Sequence, residues 1–126
     1  MSVAPEPLAP NVFRPVASNG DRYVERMVTT RDGVCLAVSD YRSERADAPT
    51  VVMLHGLLLS QESWELQVCH LRRRYGGRIR VITCAHRGHG RSAGAAMSTC
   101  EISQLAADLA EVLAAMHITG PLTLAG

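Results

Sequence analysis

The run Thr50-Val51-Val52-Met53-Leu54-His55-Gly56-Leu57-Leu58-Leu59 decides how this chain is read. Its first five residues form a continuous apolar run after the leading threonine, the pattern of a strand buried on both faces. The His-Gly pair then breaks the strand into a short loop. Beyond that loop the period changes. Trp64, Val68, Leu71 and Tyr75 fall at i, i+4, i+7 and i+11 and make one helical stripe. Arg72-Arg73-Arg74 sit where a helix C-terminus favours positive charge, and Gly76-Gly77 ends the helix.

A second buried run follows, Arg80-Val81-Ile82-Thr83-Cys84-Ala85, and then a Gly-rich loop. Ser98-Thr99-Cys100-Glu101 has the form of a capping box, which predicts a helix opening at Ser98. Ile102, Leu105, Leu109, Val112, Leu113 and Met116 form its apolar face. Gly120-Pro121 ends that helix, and Leu122-Thr123-Leu124-Ala125 begins a third buried strand. Upstream, Arg22 to Thr29 and Val34 to Tyr41 flank Arg31-Asp32-Gly33, a hairpin signature. Residues 1–21 are Pro-rich and unpatterned and read as a flexible lead-in. The folded part is then residues 22–126. The order is a β-hairpin followed by β-α-β-α-β with parallel strands and right-handed crossovers, half of an open α/β sheet.

Composition narrows the function classes. The 126 residues suit one domain, and 47% apolar residues suit a core. Thirteen arginines against twelve acidic residues leave a net charge of +1, with no lysine, which argues against a nucleic-acid or polyanion binder. Arg72-Arg73-Arg74 with Arg78 and Arg80 read as a solvated face. No apolar run is long enough to span a bilayer. The first twenty residues lack the apolar core of a secretory signal. Cys35, Cys69, Cys84 and Cys100 form no C-x-x-C pair, and with His70, His86 and His89 they fit no zinc template. They read as free thiols of a cytoplasmic protein.

Three features lie where the strands open. They are His55-Gly56-Leu57-Leu58 after the first buried strand, Arg87-Gly88-His89-Gly90-Arg91-Ser92 after the second, and Gly126 after the third. In this order, on these elements, the chain from about residue 22 to 126 resembles the α/β-hydrolase family. The resemblance implies the amino-terminal half of that fold, incomplete. It implies ester-like bond hydrolysis through a covalent intermediate, a small-molecule substrate, and no metal or organic cofactor. It sets no oligomeric state. It also implies that the Leu57 N–H, with Leu58 as fallback, stabilises a developing oxyanion. Gly56 lets the backbone turn and His55 braces the loop. Gly126 is the first glycine of a G-x-S-x-G nucleophile elbow, so the nucleophile, the acid and the catalytic histidine fall outside this sequence. The chain alone is expected to be an inactive fragment. The 87–92 loop resembles the family's Asp-x-Arg-Gly-x-Gly-x-Ser stretch, with Ala85 where Asp is frequent, and reads as scaffold. The family's strand order would set the 51–54 strand between the 80–85 and 121–125 strands, with the two helices on opposite faces.

Two rival readings stand beside this one. The first is a non-catalytic fragment or interaction module. The second is a dinucleotide-binding domain using Gly88, Gly90 and Ala93 as G-x-G-x-x-A. The second lacks its context, because several residues separate the loop from the helix cap.

Overall fold

The computed structural model describes residues 13–18, 21–92 and 94–126, with side chains from Tyr23 onward. Six strands form one sheet: β1 (Phe13–Ser18), β2 (Asp21–Thr29), β3 (Cys35–Tyr41), β4 (Thr50–Leu54), β5 (Arg80–Cys84) and β6 (Leu122–Ala125). Two helices cross over between the parallel strands, α1 (Glu65–Tyr75) and α2 (Ile102–Ala115). The sheet order is β1-β2-β3-β5-β4-β6. The first three strands and the β3–β5 pair are antiparallel, whereas β4 runs parallel to both β5 and β6. The chain therefore moves from β4 to one side, then reverses past it. The carboxyl ends of β4, β5 and β6 open on one edge, where open α/β sheets bind ligands.

The two faces carry separate cores. Val52 and Ile82 point to one face, where they pack with Val28, Leu36 and Val38 against Val112 and Met116 at α2. Met53 and Val81 point to the other, where they meet Val68 of α1, with Trp64 and Leu71 packed against them. Full burial of each such Val or Ile contributes about 1.5–3 kcal/mol. This two-sided coverage is why the strand runs show no polar alternation.

Five details depart from the sequence reading. The Leu122–Ala125 strand is not buried: β6 is the edge of the sheet, with Leu122, Thr123 and Leu124 exposed. The flexible lead-in was drawn through residue 21, but Phe13–Ser18 pairs with β2, placing Pro15 opposite Val24. Because β1 is an outer strand, a proline can stand there without breaking a ladder on both sides. Residues 1–12, 19 and 20 lie outside the described residues. The capping box does not form. Met97–Thr99 makes a 3-10 turn, Glu101 is the N-cap of α2, and no side chain caps it. Ile102 is exposed rather than on the buried face. Tyr75 is exposed too, with the guanidiniums of Arg74 and Arg78 5.8 and 5.9 Å from its ring centroid.

Candidate functional site

The loop after β4 is a tight turn. The Leu59 N–H donates to the Gly56 carbonyl at 3.1 Å, enclosing Leu57 and Leu58. Leu58 has φ +62°, whereas Leu57 is not in the positive region. Negative then positive φ is the type II pattern, whose third position normally holds glycine. A leucine there costs about 1–2 kcal/mol. Part of that cost is offset from outside the turn, because the Leu58 N–H donates to His89 Nε2 at 3.0 Å. The Leu57 N–H has no hydrogen-bond partner among the described residues. The side chains of Leu57, Leu58 and Leu59 are all exposed.

Three imidazoles tie this turn to the loop after β5. The His86 N–H donates to His55 Nε2 at 2.9 Å, so the proton of neutral His55 sits on Nδ1, 2.7 Å from the Gly56 carbonyl. His86 Nε2 lies 3.1 Å from the His55 carbonyl and must donate to it. His89 accepts at Nε2, so its Nδ1 donates to the Arg87 carbonyl at 2.9 Å. Burial holds the His55 pKa below the ordinary imidazole range, and burial together with His55 does the same to His86. The folded state thus binds fewer protons at these groups than the unfolded chain. Stability is full above the unfolded value of about 6.5 and declines as pH falls below it. The thermal midpoint should drop between pH 7.5 and 5.5, and less so in a His55→Gln, His86→Gln double variant.

The loop after β5 is anchored by Arg87, which is 1% exposed. Its Nε and Nη2 donate to the two oxygens of Asp108 at 2.8 Å each. Its Nη1 and Nη2 also donate to Asp32 at 2.8 and 3.1 Å. One guanidinium therefore clamps the β2–β3 turn, α2 and the loop together. The hydrogen bonds from Arg87 first, then that from Thr30, hold the Asp32 carboxyl well below the usual carboxylate range. Gly88 and Gly90, at φ +74° and +48°, give the loop its sharp bends. Ser92 closes it, with its Oγ accepting from the Ala37 N–H and donating to the Ala85 carbonyl, both at 2.7 Å. Ala85 in place of Asp thus leaves the loop anchored by Arg87 and Ser92.

Of the sequence-derived site residues, His55, Gly56 and Leu57 share the loop after β4. Gly126 follows β6, beside Leu54. The register pairs Met53 with Ala125, and a β-carbon built at Gly126 would stand 3.4 Å from the Leu54 carbonyl oxygen. The dinucleotide reading gains nothing from the geometry. The Gly88, His89 and Ser92 amides bond within the loop, and α2 starts only at Ile102. Ala93 lies outside the described residues. Asp32 and Asp108 were missed as partners of Arg87. The available signal was an aspartate on an otherwise apolar helical stripe, since a buried carboxylate needs a cation. Among the described residues, no cluster of three or more His, Cys, Asp or Glu is placed to hold a metal ion. No helix among them is long and apolar enough to cross a membrane.

Comparison with solved structures finds a similar fold in parts of several enzymes. An esterase from Exiguobacterium antarcticum is 30% identical with a TM-score of 0.66, the match covering 78% of this chain and 33% of the esterase. A bromoperoxidase from Bacillus anthracis is 29% identical with a TM-score of 0.64, covering 79% of this chain and 33% of that one. An α/β-hydrolase from Novosphingobium aromaticivorans is also 29% identical with a TM-score of 0.64, covering 76% and 32%. The chain spans about a third of the length of these structures. No protein-family model and no curated protein matches it.

Proposed function

Because the chain belongs to the α/β-hydrolase family, we propose that it supplies the oxyanion-binding part of an enzyme that hydrolyses ester-like bonds through a covalent intermediate. The observation carrying this reading is the Leu57 N–H, without a partner among the described residues, on a pinned turn at the strand edge where β6 also ends. A nucleophile two residues past Gly126, serine in this reading, would attack the carbonyl of a small-molecule substrate. As negative charge grows on the carbonyl oxygen, the Leu57 N–H donates to it. The N–H of the residue after the nucleophile supplies the second bond. Gly56 permits the turn, and His55 braces it. No organic cofactor or metal enters this chemistry, and the free cysteines fit a cytoplasmic setting.

Among the described residues, the Ser92 and His89 pair offers no substitute nucleophile and base. The Ser92 hydroxyl is spent on Ala37 and Ala85, and both ring nitrogens of His89 are engaged. A fluorophosphonate probe should therefore label the protein expressed from its complete reading frame at the second residue after Gly126, and leave the isolated 1–126 polypeptide unlabelled. Labelling of the isolated polypeptide would refute the assignment. A full-length protein with aspartate at that position, blind to the probe, would turn the reading from serine to aspartate chemistry.

A further inference from the structure

We propose that His89 is the positioning residue that selects which amide of the Gly56–Leu59 turn faces a reacting carbonyl oxygen. A turn holding leucine at its third position has two forms, related by a flip of the Leu57–Leu58 peptide plane. Type I is the form leucine prefers, because it keeps φ negative. Type II needs positive φ and is the form present here. The flip reverses the directions of two groups, the Leu58 N–H and the Leu57 carbonyl. In the observed form that N–H is captured by His89 Nε2 at 3.0 Å. The acceptor is itself fixed, because His89 is buried and its Nδ1 donates to the Arg87 carbonyl at 2.9 Å. His89 thus opposes the local preference of Leu58 and takes the Leu58 amide out of competition. Of the two central amides of the turn, only that of Leu57 is left to donate. The choice is made by a side chain from another loop, between Gly88 and Gly90.

The catalytic consequence rests on the oxyanion role proposed for Leu57, whereas the lock itself does not. The test uses leucine-labelled protein expressed from its complete reading frame. In the type II form the Leu57 Hα lies close to the Leu58 amide proton and gives a strong nuclear Overhauser effect. His89→Phe keeps a flat ring and removes the acceptor, and should weaken that effect several-fold. His89→Gln, whose side-chain oxygen can accept in place of Nε2, should restore it. So should Leu58→Gly in the His89→Phe background, because glycine adopts positive φ without an acceptor. The kcat of His89→Phe should fall by about 10- to 100-fold with a smaller change in KM, and the same two rescues should recover it. An undiminished effect in His89→Phe overturns the lock. A weakened effect with unaltered kcat leaves the lock standing and overturns His89 as the positioning residue of the oxyanion site.

Discussion

Leu57→Pro lowers kcat by about 10²–10³ in the protein expressed from its complete reading frame, with little change in KM. The size follows from removing one preorganised donor to a developing oxyanion, a loss of about 3–4 kcal/mol that is felt only in the transition state. Proline is the informative replacement because the second position of a type II turn is where it fits best. Its fixed φ suits the turn, and the hydrogen bond that closes the turn comes from Leu59 rather than Leu57. The Leu58 N–H that bonds His89 is kept as well. The substitution thus deletes one N–H that has no partner among the described residues, so stability should hardly move. Leu57→Ala removes the exposed side chain and keeps the amide, so its kcat should lie far above that of the proline variant. Steady-state hydrolysis of a p-nitrophenyl ester, with thermal midpoints measured alongside, separates the two. Equal kcat values for the alanine and proline variants would remove Leu57 from the oxyanion site.

Strands β4 and β5 were legible because burial on both faces leaves a direct trace, whereas β6 is exposed at Leu122, Thr123 and Leu124. Val51 to Leu54 and Val81 to Cys84 carry no polar alternation, and each meets a core on both sides. The hairpin was legible from Asp32-Gly33, where the structure places the turn. Phe13–Ser18 was not, because Pro15 interrupts the strand pattern in the sequence, and an outer strand tolerates it. The start of α2 was misplaced because Ser98 and Glu101 satisfy the capping template by spacing alone, whereas Met97–Thr99 tightens into a 3-10 turn. Tyr75 continued the α1 stripe in register, but it lies at the end of the helix, beyond the reach of the core, and meets arginines instead. At the site, the His-Gly signature located the turn but left Leu57 and Leu58 open as donors. Local sequence could not show that the Leu58 N–H is occupied, because its acceptor is His89, thirty-one residues away. The same holds for Arg87, whose two carboxylate partners lie fifty-five residues before it and twenty-one after.

That clamp predicts the largest stability effect. Arg87→Met should destabilise the fold by about 3–5 kcal/mol, because it strands Asp108 as a buried carboxylate without a cation. Against a typical total of about 5–15 kcal/mol, such a loss brings a domain close to unfolding under ordinary conditions. Most of the penalty comes from the orphaned charge rather than from the attraction lost. Replacing both partners, Arg87→Met with Asp108→Leu, should therefore recover a large part of it. Asp32→Asn should cost less than either, because the Asp32 side chain is half exposed and water can take up what Arg87 releases. The pH dependence supplies an independent check. Arg87 depresses the Asp32 pKa, so this pair contributes stability above the ordinary carboxylate pKa and loses it as pH falls through the acid range. Removing Arg87 should flatten that part of the acid-unfolding curve. Urea denaturation of the four proteins at pH 7 and pH 3.5 reads both effects. If the double variant is as unstable as Arg87→Met, the orphaned carboxylate is not the cause. The damage then lies in the loop itself, whose Arg87 carbonyl fixes His89 and, through it, the turn that presents Leu57.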